Sequence, residues 1–235
     1  MRYWLVMPAA GVGRRFGAKT PKQYVSIHGR TVLEWSLAPF LSDSRCAGLV
    51  IALAQGDPYW PAIAANLPAV TVANGGAERG ESVRNGLAAL AGKAAGDDWV
   101  LVHDAARPCL PPQDLDKLLL TLEAHPVGGL LAAPAADTLK ASANRQDVAR
   151  TVDRSGLWRA LTPQMFRYGR LCEALNTALA EGLTPTDESQ ALEWLGDKPQ
   201  LVEGSAANIK ITSAEDLLVA TALLDARIDR PQTAS

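Results

Sequence analysis

The chain has 235 residues, 48% of them hydrophobic and 20% charged, with a formal net charge of -2. Such a length can bury a substantial core, the composition excludes a disordered chain, and the near-neutral balance argues against general nucleic-acid binding. The first apolar run is too short for a signal peptide or a membrane span, so a cytoplasmic protein is expected. Cys46, Cys109 and Cys172 are odd in number and far apart, and His28, His103 and His125 lack ligand-like spacing. Neither a disulfide framework nor a zinc or His-based metal centre is expected.

Trp4 to Met7 reads as a short buried strand, after which Pro8 to Gly17 strips almost all bulk from the backbone. Glycines and alanines there let successive N–H groups converge on an anion, and Arg14, Arg15, Lys19 and Lys22 supply the positive charge that an oligophosphate needs. Two common phosphate motifs fail on spacing. A dinucleotide fingerprint from Gly11 and Gly13 would need glycine at Phe16 and an acid where Gln55 and Gly56 follow the next strand-like run; a P-loop would need glycine at Ala18, and Pro21 disfavours helix at Thr20.

Thr31 is a good cap for the next helix, which Pro39 should kink or end. Gly48 to Ala54 predicts a strand, Pro61 to Asn66 a short helix and Val70 to Ala73 another strand. Asn74-Gly75-Gly76 makes a turn, and Val83, Leu87 and Leu90 mark a helix over 81–90. Arg79 and Ser82 therefore lie near a helix start, a place suited to an anion or nucleotide. Trp99 to His103 is a strand that ends in Asp104-Ala-Ala-Arg107, where open α/β sheets bind their ligands. Asp104 suits Mg²⁺, a ribose hydroxyl or a structural salt bridge to Arg107. Leu115, Leu118, Leu119 and Leu122 predict an amphipathic helix, and Gly128 to Pro134 a strand.

From Ala135 to Ser155 the chain turns polar. A hairpin with limbs over 138–141 and 149–153 fits this stretch, and an isolated hairpin needs something to pack on, most simply a second copy of the chain. Homodimerisation is expected on that ground. Leu161 to Gln164 reads as a pre-proline extended element and Leu171 to Leu179 as a helix. Thr186-Asp187-Glu188 opens a helix through Leu195 with its acids as capping residues. Leu201 to Glu203 and Asn208 to Ile211 read as short strands, and Ser213 to Asp216 as a capping box before a last helix to about Ile228. Lys210 either snorkels to the surface or points into a pocket.

The PAAGVGRR loop at 8–15, Pro21-Lys22-Gln23-Tyr24, Gly75-Gly76 with Ser82, Val102-His-Asp-Ala-Ala-Arg-Pro108, Asp137-Thr138, Thr151-Val-Asp-Arg154, Leu161-Thr-Pro-Gln164, Thr186-Asp-Glu188 and Asn208-Ile-Lys210 occur in one order over nearly the whole chain. Together they resemble the 2-C-methyl-D-erythritol 4-phosphate cytidylyltransferase family. The resemblance implies an α/β fold, a mixed and mostly parallel sheet flanked by helices in a Rossmann-like three-layer nucleotidyltransferase architecture. It implies a single domain over 1–235, with a protruding β-hairpin arm at 135–158 that joins a homodimer. The implied activity is cytidylyl transfer from CTP to the polyol phosphate in non-mevalonate isoprenoid synthesis, with Mg²⁺ or another divalent cation, and without nucleic acid or membrane partners. A cytidylyltransferase for another polyol phosphate, such as ribitol 5-phosphate, would share the nucleotide half, and an NAD-dependent oxidoreductase lacks its fingerprint here. Carried over by position, Ala9, Ala10, Gly11 and Gly13 cradle CTP, Arg15 and Lys22 stabilise the transition state, and Gly76, Ser82 and Ala105 hold the nucleotide. Asp104 serves the ribose and the metal. Thr138 and Arg154, from the partner's arm, hold the acceptor with Thr162, Lys210 and Arg107. Where many relatives carry an acid after the glycine pair, this chain has Ala77.

Overall fold

A computed structural model describes residues 1–11 and 20–229. Its centre is β1 (Tyr3–Pro8), a run that is apolar throughout because both of its faces are covered. Tyr3, Leu5 and Met7 enter one core and Val6 the other, the period-two alternation of a strand between two helical layers. On one side β1 pairs in parallel with β4 (Cys46–Leu53), and β4 with β5 (Thr71–Asn74). On the other it pairs in parallel with β6 (Trp99–Val102). Beyond β6 lie β10 (Trp158–Arg167), β7 (Gly128–Pro134) and β11 (Gln200–Glu203), giving a seven-stranded sheet of order β11-β7-β10-β6-β1-β4-β5. Only β10 runs against its neighbours, so the sheet is mixed and mostly parallel, as expected.

Helices α1 (Val32–Leu41) and α4 (Pro112–Leu122) feed the core that holds Tyr3, while α3 (Arg79–Ala88), α5 (Tyr168–Ala180) and α6 (Glu188–Trp194) feed the core that holds Val6. Ahead of α1, β2 (Ser26–Ile27) and β3 (Arg30–Thr31) pair antiparallel, and α2 (Trp60–Ala64) is the short helix between β4 and β5. A third, smaller cluster joins α7 (Ala214–Ile228) to Ile27, Cys109 and Ile211. Thr31 caps α1 in a capping box with Glu34, and Pro39 lies inside the helix two residues before its end. Ser213 and Asp216 form the expected box on α7. Among the described residues no helix is long and apolar enough to cross a membrane.

Two segments differ from the expectations. The pre-proline element at Leu161 to Gln164 is the middle of ten-residue β10, between two other strands. Proline argues against a central strand because it cannot donate to the ladder; here the pairing with β7 shifts register between Ala160 and Gln164, and Pro163 sits in that irregularity. Asn208 to Ile211 is not a strand but a connection. It is tied by Ile211 N–H to the Ala106 carbonyl and by Asn208 N–H to that of Ser205. The polar stretch does form a hairpin, β8 (Leu139–Ala141) and β9 (Arg150–Val152), paired antiparallel in a sheet of its own. Leu139, Val148, Leu157 and Trp158 are exposed on it and its base.

Candidate active site

The strand order reverses direction about β1, with β4 on one side and β6 on the other, and ligands of open α/β sheets bind beyond such a switch point. There the chain leaves a cavity of about 700 Å³, within the usual size for a small-molecule site. Its floor is Pro8, Ala9, Ala10 and Gly11, directly after β1. Gln23 fixes this stretch by donating from Nε2 to the carbonyls of Ala9 (2.9 Å) and Gly11 (3.0 Å). Next to it, Lys22 lines the cavity and its ammonium donates to the Ile211 carbonyl at 2.7 Å.

One wall is the turn between β5 and α3. A Cβ on Gly75 would lie 2.1 Å from that of Ala10, so only glycine lets the turn approach the floor this closely. The first turn of α3 holds the connection. Gly76 N–H donates to Ser82 Oγ (3.0 Å), Ser82 Oγ donates to the Glu78 carbonyl (3.2 Å), and Ala77 N–H donates to Glu81 Oε2 (2.8 Å).

The opposite wall carries Asp104, Ala105 and Ala106 after β6, with Lys210 beside them. Among the described residues Asp104 faces three cations: Arg79 Nε reaches Oδ1 at 2.8 Å, while Lys210 Nζ and Arg107 Nε reach Oδ2 at 2.9 and 3.4 Å. Burial would raise its pKa, but the charges of Arg79, Lys210 and Arg107 prevail and hold the carboxyl well below the usual carboxylate range. Arg79 also grips Glu188 with both terminal nitrogens, at 2.6 and 3.0 Å. Burial would lower the Arg79 pKa, and the Glu188 and Asp104 carboxylates raise it instead. Behind the wall, Asp104 N–H donates to Thr162 Oγ1 (3.1 Å), which lies 3.0 Å from His103 Nδ1. His103 Nε2 lies 3.3 Å from the Arg107 carbonyl, which can only accept. These partners assign the ring proton to Nε2 and the Thr162 hydroxyl proton to Nδ1. The ring is fully buried, and burial pushes its pKa down to about 4, so it is neutral.

Of the residues singled out in the sequence, Ala9, Ala10, Gly11, Lys22, Gly76, Ser82, Asp104, Ala105 and Lys210 share this cavity. Gly13 and Arg15 lie outside the described residues. Thr162 and Arg107 are buried and bond to the Asp104 backbone and side chain from behind. Thr138 and Arg154 are exposed on the hairpin and do not line the cavity of their own chain. The Asp104 to Arg107 salt bridge is present, as one of three bonds rather than an isolated pair. Lys210 points into the cavity. Glu188 is not the capping residue: Asp187 caps α6 by accepting from Gln190 N–H, and Glu188 turns inward, 1% exposed. Gln23, which fixes the floor, and the Arg79–Glu188 pair, which holds the wall, have no such part in the reading of the sequence. In the sequence Arg79 reads only as lying near a helix start, and Glu188 only as a capping acid of the Thr186-Asp187-Glu188 motif.

A mixed three-layer α/β sheet with a glycine turn, two lysines and a carboxylate around a cavity at its switch point is an arrangement that suits a nucleotide, and it agrees with the nucleotidyltransferase class. The family model described as 2-C-methyl-D-erythritol 4-phosphate cytidylyltransferase matches residues 3–226, and the chain belongs to that family. Proteins of that name from Ectopseudomonas mendocina and Pseudomonas aeruginosa are 55% and 56% identical over 218 residues, covering 92% of this chain and 93% of each of theirs. Among solved structures, a 4-diphosphocytidyl-2C-methyl-D-erythritol synthase is 40% identical with a TM-score of 0.84, covering 95% of this chain and 99% of its own. The 2-C-methyl-D-erythritol 4-phosphate cytidylyltransferase of Francisella tularensis is 34% identical with a TM-score of 0.81, covering 95% of this chain and 100% of its own.

Proposed function

We infer that the chain transfers a cytidylyl group from CTP to 2-C-methyl-D-erythritol 4-phosphate, releasing pyrophosphate, and that the switch-point cavity is where it does so. The observation that carries the site assignment is the convergence of Lys22, Lys210 and Arg79 with the Gly76–Ser82 turn and Asp104 around one space. In this reading the acceptor's phosphate oxygen attacks the α-phosphorus of CTP and the bond to the bridging oxygen of pyrophosphate breaks. Two anions meet, and charge builds on the leaving oxygens. Lys22, held at the cavity floor, offsets that charge together with Arg15, and both act more strongly on the transition state than on the ground state.

Backbone groups of Ala9, Ala10, Gly11 and Gly13 meet the phosphates, the Gly76–Ser82 turn meets the cytosine, and Asp104 accepts from the ribose. Lys210, with Arg107 and Thr162 shaping the wall behind it, draws in the acceptor phosphate. No general base is needed, because that phosphate is already ionised at neutral pH. His103 agrees with this reading: both of its nitrogens are engaged and it is buried away from the cavity.

A divalent cation belongs to the same proposal. Among the described residues Asp104 Oδ1 bonds Arg79 alone and retains an acceptor direction, and no group of three or more His, Cys, Asp or Glu side chains gathers there. One carboxylate suits Mg²⁺ carried in on phosphate oxygens and water rather than a resident ion in a protein cage. When bound, it would neutralise phosphate charge. The exposed apolar side chains of the hairpin support a homodimer in which Thr138 and Arg154 complete the partner's acceptor site. A titration with Mg²⁺ present should show saturable binding of CTP and none of NAD; binding of NAD but not CTP would overturn the assignment.

A further inference from the structure

Glu188 neither lines the cavity nor reaches the surface, yet both of its carboxylate oxygens are hydrogen-bonded. It sits in the first turn of α6, 1% exposed, and both of its oxygens are taken by Arg79, 109 positions earlier in the chain. The start of α6 is itself pinned to β10: Gln164 Nε2 donates to Asp187 Oδ2 at 2.9 Å, and Ser189 N–H donates to Gln164 Oε1 at 2.9 Å. A rigid anchor therefore holds one edge of the Arg79 fork, and the remaining Nε–H is aimed at Asp104 Oδ1.

Arg79 is also the first residue of α3, whose opening turn positions Gly76 and Ser82. One guanidinium thus connects the two walls of the cavity, the turn after β5 and the carboxylate after β6, and takes its own position from α6. Stability is a poor explanation for such an arrangement. Buried ion pairs are often no better than well-packed apolar groups of the same volume, because desolvation offsets the attraction. Orientation explains it better: a guanidinium gripped at two points has one direction left for its third donor.

We propose that Glu188 is a positioning residue for nucleotide recognition, acting through Arg79 to fix Asp104 against the ribose and the Gly76–Ser82 turn against the base. This rests on the CTP reading given above. Glu188→Gln keeps the shape of the side chain but removes its charge and puts an NH2 donor where one of the two oxygens accepts from Arg79, so the two-point grip is reduced to a single bond. The variant is expected to bind CTP about tenfold more weakly in direct titration, to raise KM for CTP by about the same factor, and to leave kcat within about threefold. Its preference for CTP over dCTP should fall, because the ribose partner is no longer aimed.

Arg79→Lys should do the same, and the double variant should be no worse than the worse single one, since both break one unit. Glu188→Asp, which keeps the charge and shortens the reach, should move in the same direction by less and serves if the Gln variant does not fold. A purely structural role would lower the unfolding temperature and the active fraction while leaving the CTP dissociation constant and the dCTP ratio unchanged, and that result would overturn the proposal. Wild-type protein that binds CTP but does not turn it over would count against the reaction assignment alone, because the binding comparison still decides the role of Glu188.

Discussion

Lys22 and His103 are both ionisable groups of the site region, and their surroundings give them opposite roles. Lys22 lines the cavity with its ammonium 2.7 Å from the Ile211 carbonyl, so its charge stands where phosphates would gather. Lys22→Ala is expected to lower kcat about 10²–10³-fold, the loss typical of one transition-state donor, with a smaller change in CTP binding. Steady-state rates beside a CTP titration check it, and unchanged turnover contradicts it. His103 is fully buried and its pKa is pushed down from 6.5 to about 4. Between those values the unfolded chain binds more protons than the folded one, so stability rises with pH there and is lost as the pH falls, by up to ~1.4 kcal/mol per unit. Unfolding midpoints from pH 7 to 4 should show this slope, and His103→Asn should flatten it; an unchanged slope in the variant would assign the acid sensitivity elsewhere. Small residues and charges directly after apolar runs made Ala9 to Gly11, Lys22 and Asp104 legible in the sequence. Glu188 was not, because its partner is 109 positions away and its neighbours spell an ordinary helix start.

β7 shows how an element constrains its own sequence. Gly128 has φ +116°, and a Cβ there would lie 2.1 Å from the Met165 carbonyl of β10; on the next residue, a Cβ would meet the Gln200 carbonyl of β11 at 2.0 Å. Gly128→Ala is expected to cost on the order of 1–3 kcal/mol, read as a lower urea midpoint, since it forces a side chain into a backbone region that disfavours one. A midpoint equal to wild type would mean that β7 can withdraw from β10. Strands covered on both faces were legible as continuous apolar runs, as at Trp99 to Val102. The middle of β10 was not, because Pro163 argues against a central strand and its irregular pairing becomes visible only beside β7. The hairpin limbs were found to within one residue, because a polar stretch flanked by buried strands has few other forms. Reading Asn208 to Ile211 as a strand failed because its backbone bonds to a loop at Ala106 and its apolar side chains pack with Val32 of α1 and Ala220 and Leu224 of α7 rather than in a sheet.

At the scale of the whole molecule, the proposed site draws its nucleotide half from one chain and part of its acceptor half from another. If Lys22 and Arg154 serve the same centre from different subunits, Lys22→Ala and Arg154→Ala proteins are each nearly inactive. Mixed under exchanging conditions, they should recover roughly a quarter of wild-type activity, because half of the dimers are mixed and one of two centres in each is intact. No recovery, or sedimentation of the wild type as a monomer at micromolar concentration, would contradict a shared site. The layered fold and its switch point were legible because alternating apolar strands and amphipathic helices admit few arrangements. That the arm serves the partner's site rests on the family resemblance, since the exposed side chains of the hairpin find no partner pattern within one sequence. The central claim is the reaction itself. It is tested most directly by pyrophosphate release from CTP with 2-C-methyl-D-erythritol 4-phosphate and ribitol 5-phosphate assayed side by side: release with the first and far less with the second is expected, while release favouring ribitol 5-phosphate, or none with either, would contradict it.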